Sequence, residues 1–345
     1  MSRNIFATTV LALAAAAAVA FAQPQPKTFF KTKIQLADAD IQKIDQGQVV
    51  TKVVDSGDPK YGILVFGAVY VNAPVAKFGT VIRDINRLTE NKVYLAVQEF
   101  STNGAAPKPS DFARLTLDNK DIDELQDCKA GDCDIQIFNV EQFQKQINWK
   151  AGDKYPQANK LVRERLYQGM DAYLKGGLKS IGNYRDREKP LNLYTATKGM
   201  IDASYFLPQD KAGAIYREVL DYPQAKVPGA GDLFYWEKID FGQEPTVRVS
   251  HLMLFPQGAG AVKFIAANLQ LYASRYMRVA LQMYYCVPDT SNPQKPGFYL
   301  IEMNDSQMPD FGGLKLGIVR KVASSKATDA TRDSLTMYQK MLLGK

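Results

Sequence analysis

The stretch Met277-Arg278-Val279-Ala280-Leu281-Gln282-Met283-Tyr284-Tyr285-Cys286-Val287 decides the fold class. Met277, Val279, Leu281, Met283, Tyr285 and Val287 alternate with Arg278, Ala280, Gln282, Tyr284 and Cys286, and a two-residue period places each set on its own face of a β-strand. The pattern extends to either side. Thr246 to Phe255 sends Val247, Val249, His251, Met253 and Phe255 one way, Val262 to Tyr272 is another β-rich run, and Phe298 to Met303 and Leu316 to Ala323 read as further strands. The turn-forming segments Pro288-Asp289-Thr290-Ser291-Asn292-Pro293 and Asp310-Phe311-Gly312-Gly313 separate them, and connections this short favour antiparallel neighbours.

At the C-terminus the period changes. Leu335, Tyr338, Met341 and Leu342 recur at three- and four-residue steps along Thr331 to Leu343, which predicts one apolar stripe on a helix. Asp329 or Thr331 is the expected cap at its start, and Gly344 lies just past its end. Upstream, Gln48 to Val54, Ile63 to Val71 and Lys92 to Phe100 read as strands, with a helix after Ala73-Pro74 carrying Val75, Phe78, Ile82 and Ile85. Residues 101–245 differ in character: an acidic stretch from Asp118 to Asp134 is followed by helical patterns over Pro156 to Ile181 and Gln209 to Leu220. The expected fold is α+β, a curved antiparallel sheet gripping a long C-terminal helix, with 101–245 as a helical insertion or subdomain.

Residues 1–22 read as a secretory signal peptide, with Arg3 before an apolar run from Val10 to Ala22 and small residues around Ala20-Phe21-Ala22. Residues 23–345 then form a single domain, exported and expected in the periplasm. The formal charge of +7 is spread thinly, without a basic block, so nucleic acid is not an expected partner, and a mildly basic surface suits at most transient contact with an anionic membrane surface. In an oxidising compartment Cys128 and Cys133, five residues apart in sequence, are placed to close a small disulfide loop, while Cys286 reads as a buried thiol within a strand.

Catalytic and metal motifs are sparse. The chain has one histidine, His251, and no G-x-S-x-G, S-x-x-K, H-E-x-x-H or P-loop pattern, so no catalytic residue and no metal or cofactor is assigned. His251 is expected to be a hydrogen-bonded strand residue, and the acidic stretch a solvated face.

Val69-Tyr70-Val71-Asn72-Ala73-Pro74-Val75-Ala76-Lys77-Phe78, continuing to Val81-Ile82-Arg83-Asp84-Ile85, resembles the START-like helix-grip (SRPBCC) superfamily in its strand, proline turn and helix. The later strands and final helix follow the same order of elements. Asp127-Cys128-Lys129-Ala130-Gly131-Asp132-Cys133-Asp134 and Leu271-Tyr272-Ala273-Ser274-Arg275-Tyr276 are similar to a group of uncharacterised exported bacterial proteins within that superfamily. The resemblance implies binding or transfer of a lipid or other apolar small molecule in an internal cavity. Residues expected to line it are Val249, Met253, Tyr272, Met283, Tyr285, Leu335, Tyr338 and Met341, with Arg83 or Arg275 for a polar end. The alternatives are a cyclase or hydrolase using the same cavity, with His251 or a buried carboxylate as acid or base, and an envelope interaction protein with a solid core.

Overall fold

A computed structural model describes residues 26–100, 107–129, 132–186, 189–204, 213–240, 242, 244–257, 262–290, 296–309 and 315–344. The expected signal peptide lies outside the described residues. Two short helices, α1 (Pro26–Thr32) and α2 (Asp38–Asp45), lead to strands β1 (Val50–Val54) and β2 (Gly62–Val71). Helix α3 (Val75–Arg83), a 3-10 turn at Ile85–Glu90 and strand β3 (Tyr94–Glu99) come next. The middle region holds α4 (Asn119–Asp127), α5 (Val140–Gln146), α6 (Lys154–Gly176), α7 (Leu178–Ile181), a small ribbon of β4 (Asn183–Tyr184) and β5 (Leu191–Asn192), α8 (Leu193–Ala203) and α9 (Ala214–Asp221). Strands β6 (Gly231–Ile239), β7 (Thr246–Pro256), β8 (Phe264–Ala273), β9 (Val279–Pro288) and β10 (Phe298–Gln307) precede the terminal helix α10 (Lys315–Leu343).

Eight strands form one curved sheet in the order β1-β2-β10-β9-β8-β7-β6-β3, antiparallel throughout. Chain-consecutive β6 to β10 are neighbours because short turns reverse them. The early pair β1 and β2 closes one side through β10, and β3 closes the other through β6. Strands β2 and β8 are buried at every position, so both faces must be covered.

The two faces are covered by different layers. On one, Leu64, Phe66, Tyr70, Trp236, Val249, Met253, Met283 and Tyr285 join a core with Phe30 of α1, Ile122 of α4, Met170 and Tyr173 of α6 and Tyr216 of α9. On the other, Val69, Val71, Leu252, Leu254, Tyr284 and Leu300 pack with Phe78 of α3 and with Leu335, Tyr338, Met341 and Leu342 of α10. Helix α10 runs along β2: Val319, Ala323 and Ala327 meet Ile63, Val65 and Met308, and farther on Gln339 donates to the Gly47 carbonyl at 2.8 Å.

Four expectations are corrected here. Leu316 to Ala323 is not a strand but the first turns of α10; Val319, Ala323 and Ala327 recur every four residues and form its contact stripe, while Ile318 is 72% exposed. Asp329 and Thr331 consequently lie inside the helix rather than capping it. Residues 101–245 are not wholly a helical insertion, because β6 belongs to the main sheet. The acidic stretch is not simply a solvated face, since Asp121 is buried against Arg275 at 2.7 Å. The disulfide between Cys128 and Cys133 forms as expected, and Cys286 is a buried free thiol.

Gly67 sets how closely α10 approaches the sheet. A Cβ at this position would lie 2.6 Å from both Leu335 Cδ1 and Thr331 Cγ2. Gly67→Ala is therefore expected to destabilise the protein by about 1–3 kcal/mol through overpacking, read as a lower denaturant midpoint at unchanged slope. An unaltered midpoint would mean that the helix is not seated on β2 this closely.

Candidate functional site

The expected lining residues divide between the two faces. Val249, Met253, Tyr272, Met283 and Tyr285 are buried against the middle region, whereas Leu335, Tyr338 and Met341 sit on the opposite side of the sheet. The Tyr285 hydroxyl lies 3.2 Å from that of Tyr216, and Tyr272 donates to the Gln136 carbonyl at 2.5 Å while its ring stacks on Phe138 at 5.4 Å. The expected single lining of these eight residues is thus corrected. The strands alternate as expected, but the more apolar set lies on the face that the larger helical layer covers.

The arginines do not supply a polar end either. Arg275 is 4% exposed and held by Asp121 and Glu124, an ion-paired cluster that ties α4 to the end of β8. Arg83 is exposed, with its guanidinium over Gly231.

His251 is fully buried between Tyr173, whose hydroxyl is 2.7 Å from Nδ1, and Asp232, 3.0 Å from Nε2. Burial lowers its pKa, opposed by Asp232, so the ring is neutral near pH 7. In that form Nε2–H donates to Asp232 and Nδ1 accepts from Tyr173. With the ring stacked on Phe234 at 4.2 Å, His251 is the hydrogen-bonded strand residue expected.

The other set of strand residues forms a polar band on the α10 side. Pairing fixes which residues are neighbours: Gly67 with Glu302, Glu302 with Tyr284, Gln282 with Asn268, Gln270 with Ser250, Tyr235 with Ser250, and Glu237 with Arg248. Cross-strand partners share a face, so these side chains lie in adjoining rows. Asn268 Nδ2 donates to Tyr235 Oη at 2.9 Å and Gln282 Oε1 at 3.1 Å, and Gln282 Nε2 donates to Glu302 Oε1 at 3.4 Å. The network continues to α10, where Ser334 Oγ lies 3.2 Å from Tyr284 Oη. Glu237 accepts from Arg248 Nε at 2.7 Å and also from its Nη2.

Several atoms of this band are buried without a protein partner: Glu237 Oε2, Thr246 Oγ1, Asn268 Oδ1, both polar atoms of the Gln270 amide, and Glu302 Oε2. A buried polar atom left unsatisfied costs about 1–3 kcal/mol, so a concentration on one face needs a physical reason. Gln282 sits mid-sheet beneath α10 yet is only half-buried. Around the band, Phe78 packs edge-on to Phe264, Tyr284, Phe298 and Tyr338 or tilts against them, with centroids 5.5–6.5 Å away. At the far edge of the sheet, burial first and then Glu237 push the Tyr94 hydroxyl up, with Glu302 and Asp333 of α10 adding to the effect. Tyr94 and Tyr235 act likewise on Tyr338. Tyr94 of β3 packs against the same apolar cluster as Leu335, Tyr338 and Met341 of α10. The β6–β7 turn also approaches the helix, because a Cβ on Gly242 would lie 2.8 Å from Lys326 Nζ.

Burial pushes the Glu302 carboxyl up to about 8, opposed by the hydrogen bond from Gln282 and by the nearby Ser334 hydroxyl. Its ordinary value is 4.5, so between those pH values the folded chain holds a proton that the unfolded chain has released. The contribution to stability is full below pH 4.5 and falls as pH rises towards 8, by up to about 1.4 kcal/mol per unit. Glu302→Gln is expected to flatten this part of the stability profile and to raise stability at pH 8; thermal unfolding at stepped pH checks it, and parallel profiles would contradict it.

Among the described residues no group of His, Cys, Asp and Glu is arranged to hold a metal ion, and no helix is long and apolar enough to cross a membrane. An open groove of about 390 Å³ lies on α5 and α6 between Phe138, Gln142 and Arg165, on the side of the sheet away from the polar band. Comparison with known proteins returns no matching family model, no similar curated protein and no similar solved structure.

Sequence reasoning missed the band because its residues belong to the less apolar strand set. A signal was present. On β8 the alternate positions run Phe264, Ala266, Asn268, Gln270, and on β10 they run Phe298, Leu300, Glu302, Asn304, so polar residues follow apolar ones along the same face of each strand.

Proposed function

We propose that this chain is an exported, START-like protein of the helix-grip kind, which binds or transfers a small molecule between the curved sheet and α10. The observation that carries the reading is the set of unpartnered, buried hydrogen-bonding atoms on the sheet beneath a helix, beside an aromatic cluster. Ligand sites combine an apolar wall with a few converging polar groups, and Phe78, Tyr338 and Met341 beside Glu302, Gln270 and Asn268 have that composition. The ligand therefore has an apolar body, as a lipid does, and a polar part that bonds inside the protein rather than projecting into water. Burial of its apolar surface, at about 25 cal/mol per Å², supplies the driving force. Displacement of α10 from β2 is the simplest entry route, since α10 lies along the sheet over this band. The Cys128–Cys133 disulfide fits an oxidising compartment such as the periplasm.

Native mass spectrometry of protein purified from its own cells tests this. A bound small molecule, released by denaturation or organic extraction, is the expected result. Identical native and denatured masses, together with no uptake of added amphiphiles, would oppose it.

A second reading is acid–base catalysis in the same place. It is favoured by Glu302, which stays protonated near neutrality within reach of Ser334 and Gln282. Turnover abolished in Glu302→Gln and unaffected in His251→Gln would support this reading; retention of binding alone supports the first.

A further inference from the structure

We propose that the polar part of the ligand is a primary ammonium group, received by Glu302 and the aromatic corner beside it, so that the protein selects amine-bearing amphiphiles over alcohols and carboxylates. This rests on the binding reading above and names the ligand class for that site.

The argument is one of hydrogen-bond sense. Both N–H groups of Asn268 are already directed at Tyr235 and Gln282, which leaves Oδ1 as an acceptor. Glu237 Oε2 and Gln270 Oε1 are acceptors as well, and Glu302 Oε2 becomes one on ionisation. The donors Nε and Nη2 of Arg248, the cation among these side chains, are turned onto Glu237. Gln270 Nε2 and the Thr246 hydroxyl are unpartnered donors in the same band, but the acceptors outnumber them, so an anionic headgroup would meet mostly acceptors and a neutralised arginine, whereas an ammonium brings three donors and no acceptor.

Ring geometry points the same way. Tyr284 and Tyr338 stand at 82° with centroids 5.6 Å apart, and Tyr284 is the cross-strand partner of Glu302. A cation beside that corner faces aromatic surface as well as a carboxylate, in a place where water does not compete. The charges also balance. Glu302 carries a proton in the free protein, and an approaching ammonium favours its ionised form, so the amine enters with its charge matched and one proton leaves to solvent. Glu237 is already paired, and burial keeps the hydroxyls of Tyr94, Tyr235, Tyr284 and Tyr338 protonated.

Calorimetric titration of the full-length protein, cleared of endogenous ligand, with octylammonium, octanol and octanoate separates the alternatives, since the three share one apolar body. Octylammonium is expected to bind at least tenfold more tightly than the other two at pH 7, with close to one proton released per amine in buffers of different ionisation enthalpy. Glu302→Gln should bring amine and alcohol to equal affinity and abolish proton release. Equal or tighter binding of octanol or octanoate by the wild-type protein overturns the amine assignment and leaves the binding site standing. If none of the three binds, both the assignment and the binding reading fall.

Discussion

Arg248→Ala is expected to lower stability by about 3–5 kcal/mol, among the largest effects of any single substitution on the sheet, because it strands the Glu237 carboxylate in a site with no exposure. The two residues face each other across β6 and β7, and one carboxylate oxygen takes both guanidinium bonds. Burial pushes the Glu237 carboxyl up, opposed by Arg248, so removing the arginine leaves only the upward influence. The variant should therefore also gain stability on acidification, as Glu237 takes a proton when folded at a pH where the unfolded chain is ionised. Removing both charges together, in Glu237→Gln with Arg248→Met, should recover most of the loss. Urea unfolding of the two variants at pH 5 and pH 8 provides the check, and a loss in Arg248→Ala below 1 kcal/mol would show that water reaches Glu237.

Phe78→Ala should have a comparable effect, about 3–5 kcal/mol, through a different cause. Phe78 is fully buried, and its ring meets those of Phe264, Tyr284, Phe298 and Tyr338, joining α3 to three strands' worth of side chains and to α10. The helix is amphipathic, with Phe78, Val81 and Ile82 inward, and Pro74 in extended geometry immediately before its first turn. Truncating the ring removes the common partner of the aromatic cluster. Because Tyr338 and Tyr284 would lose a neighbour, amphiphile affinity should fall along with stability. Lys77 lends a second tie between α3 and α10 through the Leu342 carbonyl, so the helices should remain associated in the variant. Stability within 1 kcal/mol of the wild type would contradict the placement of Phe78 at the junction.

Much of the architecture was legible because the strands obey period two over long runs. The alternation of Val279, Leu281, Met283, Tyr285 and Val287 against Ala280, Gln282, Tyr284 and Cys286 is the division between the two faces of β9 in the structure. What alternation does not contain is which face meets which layer. The helix-grip expectation places the apolar set of β7 and β9 against the α10 stripe. The structure covers that set with α4, α6 and α9 instead, and α10 receives the mixed set. Covering a whole sheet face takes several helices, and the middle region has them.

The first turns of α10 misled for a related reason. Leu316, Ile318, Arg320 and Val322 alternate in sequence and include β-branched residues, yet Val319, Ala323 and Ala327 form the apolar stripe packed against the sheet. Local pattern and tertiary contact disagreed, and contact with Ile63, Val65 and Met308 prevailed. Ion pairs were hidden for a plainer reason. Arg275 and Asp121 are far apart in sequence, and a single chain carries no signal of their meeting.

The central claim is that the α10 side of the sheet is a binding chamber rather than a closed polar seam. A crystal structure of the protein as purified from its own cells tests it most directly, in the density between Glu302, Gln270, Asn268 and Tyr338. The account predicts density for a small non-protein molecule within hydrogen-bonding distance of Glu302 Oε2 and Asn268 Oδ1. Contradiction would be α10 in van der Waals contact with those side chains throughout, with the polar atoms of Glu302, Gln270 and Asn268 paired to one another.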